Sequence, residues 1–132
     1  MILRERDNYI EIVARERIPE HLPTPGDTSF SIRVQSDRFT GEGTTWIDWP
    51  TLQRFASDLA ELDAKRAGRA EMESMSPGEF ELTIKTTDGW GHTAISGRLA
   101  SGKHTIEFEF DFENDRLRQL VSDFNEFARP VV

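Results

Sequence analysis

The sequence contains no cysteine, which excludes disulfides, thiolate metal sites and a cysteine nucleophile, and fits a reducing compartment. Histidine is scarce: His21, His92 and His104 are the only three, and no two share a metal-ligand spacing such as i, i+4 on a helix. Long apolar runs are missing, so nothing approaches membrane-spanning length. The N-terminal MILRERDNYI carries charges where a secretion signal needs an apolar stretch, so the chain reads as untargeted and cytoplasmic. No segment is low in complexity or repeats at a fixed period. The glycines of GEG at 41–43 and GWG at 89–91 do not lead into a helix with a following lysine, so neither is a phosphate loop. Each is better placed to make room for a large neighbour. No serine sits in a strand-to-helix nucleophile context.

Positive charge is also in short supply. The 132 residues hold 16 basic and 24 acidic side chains, a net charge of −8. Residues 1–70 carry 10 basic and 12 acidic groups, whereas residues 71–132 carry 6 and 12. The second half would repel a phosphate backbone and an anionic membrane, and would attract a basic protein. A chain of this length fits one domain with a core of its own.

What is present is a pattern of strands and two amphipathic helices. Asn8–Ile18 has apolar groups on both faces and reads as a strand, followed by a loop rich in proline at His21–Asp27. Thr28–Gln35 alternates, and with Ser36-Asp37 as the turn it pairs with Arg38–Trp46, setting Val34 opposite Phe39, Ile32 opposite Gly41 and Phe30 opposite Gly43. Asp48–Ala67 is predicted as a helix, capped by Asp48, with Pro50 in its first turn, a stripe of Leu52, Phe55, Leu59 and Leu62, and Gly68 as its end. Asp88-Gly89 and Ser101-Gly102 read as two-residue turns linking Glu79–Thr87, Trp90–Leu99 and Lys103–Glu113. Counting outward gives the apolar rows Phe80/Gly97/Ile106, Leu82/Ile95/Phe108 and Ile84/Thr93/Phe110. The other face reads Glu81/Ser96/Glu107, Thr83/Ala94/Glu109 and Lys85/His92/Asp111. A slip by one residue would mix the faces. Asn114–Phe127 is predicted as a closing helix capped by Asn114 or Asp115, with a stripe of Leu117, Leu120, Val121, Phe124 and Phe127. The expected fold is α+β: a mostly antiparallel meander of hairpins with two amphipathic helices packed on one face.

The carboxylates carry the most information. Glu107, Glu109, Asp111 and Glu113 alternate with Ile106, Phe108, Phe110 and Phe112, giving one strand an acidic edge and an apolar edge, and Glu81 lies on the acidic side. Three readings are open for this side: a solvated outer face, a docking surface for a cationic partner built from Glu81, Glu107, Glu109, Asp111 and Glu113, or a divalent-cation site. An extended strand splays its carboxylates too widely for a compact oxygen cage. His92 beside Asp111 would be an exposed acid/base pair without a nucleophile. His104 is expected on the apolar face beside Leu99. Of the tryptophans, Trp46, Trp49 and Trp90, burial is the expectation, with Trp49 stapling the first helix to the core.

The strand FSIRV, then FTGEG, the helix LQRFASDLAEL, and then GRAEMES, FELTIKTTDGWGHTAISGRL and IEFEFDF with the closing helix follow one another in an order that resembles the WapI-type immunity proteins of bacterial contact-dependent toxin systems, from about Phe30 to Phe127. The resemblance implies a protein that is not an enzyme and that binds and neutralises a toxin domain, often a nuclease. It brings no catalytic residues, cofactor or metal. The alternative is a housekeeping interaction module or a small-ligand-binding module.

Overall fold

The string of four strands followed by a helix occurs twice. The computed structural model describes residues 1–87 and 91–131. In the first half β1 (Ile2–Glu5), β2 (Asn8–Arg17), β3 (Thr28–Ser36) and β4 (Phe39–Ile47) lead into α1 (Trp49–Lys65). In the second, β5 (Arg69–Glu73), β6 (Phe80–Thr86), β7 (His92–Ser101) and β8 (His104–Glu113) lead through a 3₁₀ turn at Asn114–Arg116 into α2 (Leu117–Phe127). Each set of strands is an antiparallel meander in chain order, so the strands form two four-stranded sheets.

The α+β class with antiparallel meanders and two helices is as the sequence indicates. β1 and β5 were not foreseen, because short strands such as Ile2–Glu5, where only Leu3 is buried, are too brief for a periodicity to show. All three hairpins are displaced in the same way. Val34 faces Gly41 and Ile32 faces Gly43, while Phe39 pairs with Ser36. In the second sheet the inner rows are Phe80/Leu99/Ile106, Leu82/Gly97/Phe108 and Ile84/Ile95/Phe110. In the two hairpins whose tips are described, the turn starts one residue later than expected, at Asp37-Arg38 and Gly102-Lys103. Its first residue has positive φ, 56° at Asp37 and 62° at Gly102. A tight hairpin turn places its left-handed residue first, which selects Asp37 over Ser36 and Gly102 over Ser101. Moving a turn by one residue moves every cross-strand partner by two. Each side chain therefore keeps its face and changes only its neighbour. The Asp88-Gly89 turn and Trp90 lie outside the described residues.

The inner faces of both sheets and the stripes of both helices share one apolar core. Phe55 of α1 stacks edge-on against Phe124 of α2 at 4.8 Å, Phe124 against Phe127 at 5.5 Å, and Phe127 against Phe30 of β3 at 5.0 Å. The sheets meet at the glycines of β4. A Cβ on Gly41 would lie 2.8 Å from Cγ2 of Ile106, and one on Gly43 3.1 Å from Cδ1 of Leu99. The room those glycines make is thus filled by side chains of the other sheet.

Asp48 caps α1 by accepting hydrogen bonds from the Thr51 amide (3.2 Å) and hydroxyl (2.7 Å). Replacing it with alanine is expected to cost about 1 kcal/mol, measured as a lowered midpoint in urea unfolding. The helix ends earlier than Gly68, at Arg66 in the left-handed conformation, whose amide donates to the Leu62 carbonyl. The second helix has no side-chain cap: Asn114 instead accepts a hydrogen bond from the Thr93 hydroxyl. Trp49 is partly buried against Gly26, and its indole donates to the Ala128 carbonyl at 3.1 Å, which ties the start of α1 to the end of α2. Trp46 is 36% exposed, contrary to the expected burial, because it points to the outer face of the first sheet.

Candidate protein-binding surface

In β5 to β8 the apolar residues point inward, so the alternate residues build one exposed outer face. Its rows, read across the four strands, are Glu73/Glu81/Arg98/Glu107, Glu71/Thr83/Ser96/Glu109 and Arg69/Lys85/Ala94/Asp111, with His92 opposite Glu113 at the end. Seven carboxylates share this face with three cations. The expected set of Glu81, Glu107, Glu109, Asp111 and Glu113 is brought onto one surface, and every member is exposed.

The neighbours differ from those expected. Arg98 lies between Glu81 and Glu107. Asp111 faces Ala94, so the His92–Asp111 pairing does not form; His92 faces Glu113, with Nε2 3.5 Å from Oε1. Ala94 is buried although it is on the outer face, because the longer side chains around it close over a methyl group. His104 keeps the side of Ile106, but it faces Ser101 at the β7–β8 turn instead of Leu99 and is exposed there. His21 is exposed in its loop. Glu71 and Glu73 join the acidic face through β5; the signal was the alternation of RAEME, with Ala70 and Met72 pointing inward.

Few of these charges are spent within the chain. Glu71 pairs with Arg69 at 3.0 Å, and Glu73 accepts from the Gly78 amide at 3.1 Å. Among the described residues, Glu81, Glu107, Glu109 and Asp111 form no ion pair. Like charges in adjacent positions on one strand face repel, and a partner with cationic groups relieves that repulsion. Among the described residues no cluster of three or more carboxylate or imidazole groups is placed to hold a metal ion.

The outer face of the first sheet has a different character. Arg33 is bonded to Glu42, which raises the guanidinium pKa, first through that hydrogen bond and then through the charge of the carboxylate. Arg4 lies over the Tyr9 ring at 4.6 Å. An open hollow of about 470 Å³ lies there between Arg15, Arg33, Glu42 and Thr44. Where β2 meets the C-terminal segment, Arg17 donates to the Arg129 carbonyl, and burial followed by the charge of Arg129 lowers its pKa. No helix among the described residues is long and apolar enough to cross a membrane.

A model of the immunity protein WapI-like family matches residues 6–130. The chain belongs to this family. WapI-like membership points to a toxin-immunity role in general terms, which implies a protein partner, and proteins of this family are generally non-enzymatic. No curated protein matches this WapI-like sequence. Among solved structures, WHY1 from Arabidopsis thaliana is similar at 10% identity and a TM-score of 0.53, with 100% of this chain and 84% of that chain covered. The plant transcriptional regulator PBF-2 is similar at 10% identity and a TM-score of 0.51, with 99% and 80% covered. At such identities the similarity is one of fold alone.

Proposed function

We propose that this immunity protein neutralises a toxin domain with a cationic surface by covering that surface with the outer face of β5 to β8. The observation that carries this reading is the set of exposed, unpaired carboxylates of Glu81, Glu107, Glu109 and Asp111 in a chain of net charge −8. A nuclease needs cationic groups to hold phosphates, and the same groups are what an acidic face engages. Such a face speeds encounter and competes with the nucleic acid for those groups. The site is cytoplasmic in this reading, where a toxin that acts on nucleic acid must be met. A small-ligand carrier, the other reading of the sequence, calls for a largely enclosed apolar pocket, whereas the hollows lined by Arg33 and Glu42, by Asp111 and Glu113, and by Thr105 and Ile106 among the described residues are open and mostly polar.

The test is a binding titration at low and high salt against the toxin domain encoded nearest the gene. The triple variant Glu107→Lys, Glu109→Lys, Asp111→Lys is compared with the unaltered chain. Association of the unaltered chain is expected to fall steeply with salt, whereas the variant associates on the order of a hundredfold more slowly at low salt and loses that dependence. If the variant protects cells as well as the unaltered protein, this face is not the interface.

A further inference from the structure

The acidic strand is also the last strand of its sheet. The order β5-β6-β7-β8 leaves one side of β8 without a neighbouring strand. Which backbone groups face that side follows from the hairpin. Ser101 and His104 close the two-residue turn at Gly102-Lys103, so this pair exchanges both of its hydrogen bonds. Bonded and non-bonded pairs alternate along an antiparallel ladder, and the pairing of β7 with β8 runs without a bulge to His92 and Glu113. Ile106, Phe108, Phe110 and Phe112 therefore bond to β7. Glu107, Glu109 and Asp111 turn their N–H and C=O groups to the open side, and none of these groups is bonded to any other described residue. The same three residues hold the unpaired carboxylates. Main-chain bonding capacity and negative charge thus recur together, every second residue, along one edge.

We infer that β8 recognises its partner by strand addition: an extended segment with cationic side chains at alternate positions pairs with the backbone of Glu107, Glu109 and Asp111 while its lysines or arginines meet their carboxylates. This rests on the reading that the acidic face binds a cationic partner, and it adds how the partner is held. The charges also choose the occupant. A second copy of this chain, brought edge to edge, would set carboxylates against carboxylates, so β8 is protected against self-pairing and open to a basic strand. The other long edge lacks that selectivity: β4 has one carboxylate, Glu42, already bonded to Arg33, and its Trp46 carbonyl accepts from the Met75 amide at 2.9 Å. Backbone bonds supply affinity in such a mode, and the alternate side chains supply specificity.

The probe is a synthetic peptide of alternating lysine and valine, titrated at low salt while amide hydrogen exchange is followed by NMR. In the free protein the amides of Glu107, Glu109 and Asp111 should exchange freely, whereas those of Phe108 and Phe110 are protected. With peptide bound, the first set should slow by tenfold or more. Glu109→Pro and Glu109→Ala remove the same charge, but only proline blocks an added strand. Proline is tolerated where the replaced N–H has no partner. Glu109→Pro should weaken the peptide at least about tenfold more than Glu109→Ala, the loss expected when a main-chain bond is removed and its neighbours are displaced. The wild-type exchange pattern decides the matter without any variant if the proline disturbs the strand. Binding that is sensitive to salt but leaves the Glu107, Glu109 and Asp111 amides unprotected overturns strand addition and leaves cation docking on the face standing. Absence of binding at low salt overturns both.

Discussion

Gly97→Ala is expected to lower the melting temperature by roughly 10 °C, the shift that about 3 kcal/mol produces in a domain of this size. Gly97 sits in the middle of β7, between Leu82 and Phe108. A Cβ there would lie 2.2 Å from the carbonyl oxygen of Glu81 and 2.6 Å from Cζ of Phe108. The first of these is backbone of the neighbouring strand and cannot turn aside. Relief requires β6 to shift, and β6 is held between β5 and β7 with Phe80, Leu82 and Ile84 fully buried. The ring of Phe108 lies over the bare glycine and would lose its seat as well. Gly43→Ala is the control: its tightest contact would be Cδ1 of the Leu99 side chain, at 3.1 Å, with the Ala100 carbonyl oxygen at an ordinary 3.8 Å, and it is expected to cost less than about 1 kcal/mol because that side chain can give way. Scanning calorimetry of the two variants measures the difference. Equal, small shifts would mean that β6 and β7 are not held as closely as the structure has them.

Phe124→Ala is expected to cost about 4 kcal/mol, at the upper part of the range for a buried phenylalanine. Phe124 is 1% exposed and stands in the middle of the aromatic row that runs from Phe55 on α1 through Phe127 to Phe30 on β3. Removing the ring leaves a void flanked by two edge-on partners that cannot both close on it, and each such pair contributes about 1 kcal/mol beyond its area. The damage should extend to the hydrogen bond between the Trp49 indole and the Ala128 carbonyl, since Ala128 follows directly on α2. Urea unfolding followed by tryptophan fluorescence gives both readings: a lower midpoint, and a red-shifted emission before the main transition if the end of α2 loosens first. Phe124→Leu keeps most of the volume and should cost about a third as much. A loss below 2 kcal/mol for the alanine variant would show that α2 contributes less to the core than its three buried residues, Leu117, Leu120 and Phe124, imply.

Neither variant changes a charge of the acidic face. Gly97→Ala in particular would disturb the spacing between β6 and β7, so its effect on partner binding should follow its effect on stability. The charge-reversal variant should do the opposite, changing association while leaving the core intact. Comparing the two separates loss of fold from loss of recognition.

The face to which each side chain belongs was legible in the sequence, and so was the acidic set. Alternation of Ile106, Phe108, Phe110 and Phe112 with Glu107, Glu109, Asp111 and Glu113 needs no knowledge of the turn, because neighbours along an extended strand point to opposite sides whatever pairs with them. The helix stripes follow in the same way from spacings of three and four, and the Asp48 cap from its place before Pro50. Cross-strand neighbours were not legible. They depend on where a turn begins, and Ser36-Asp37 and Asp37-Arg38 differ by one residue in sequence yet by two positions in every pair that follows. What decided between them was the backbone of Asp37 and Gly102, which only the folded hairpin reveals. The same shift placed Arg98 between Glu81 and Glu107, moved His92 from Asp111 to Glu113 and carried His104 to an exposed turn.

By itself the sequence determined the α+β class, the inward and outward set of each main strand, the absence of thiol chemistry, the negative charge of the second half and the family resemblance. Only the tertiary structure decided that the strands divide into two sheets, that Gly41 and Gly43 are where those sheets close on each other, and that β8 is left as an edge. The reason is one of range. Periodicity and composition are local properties that a strand or helix expresses alone, whereas a sheet's boundary is set by which strand finds no further neighbour, and that depends on the packing of every other element around it.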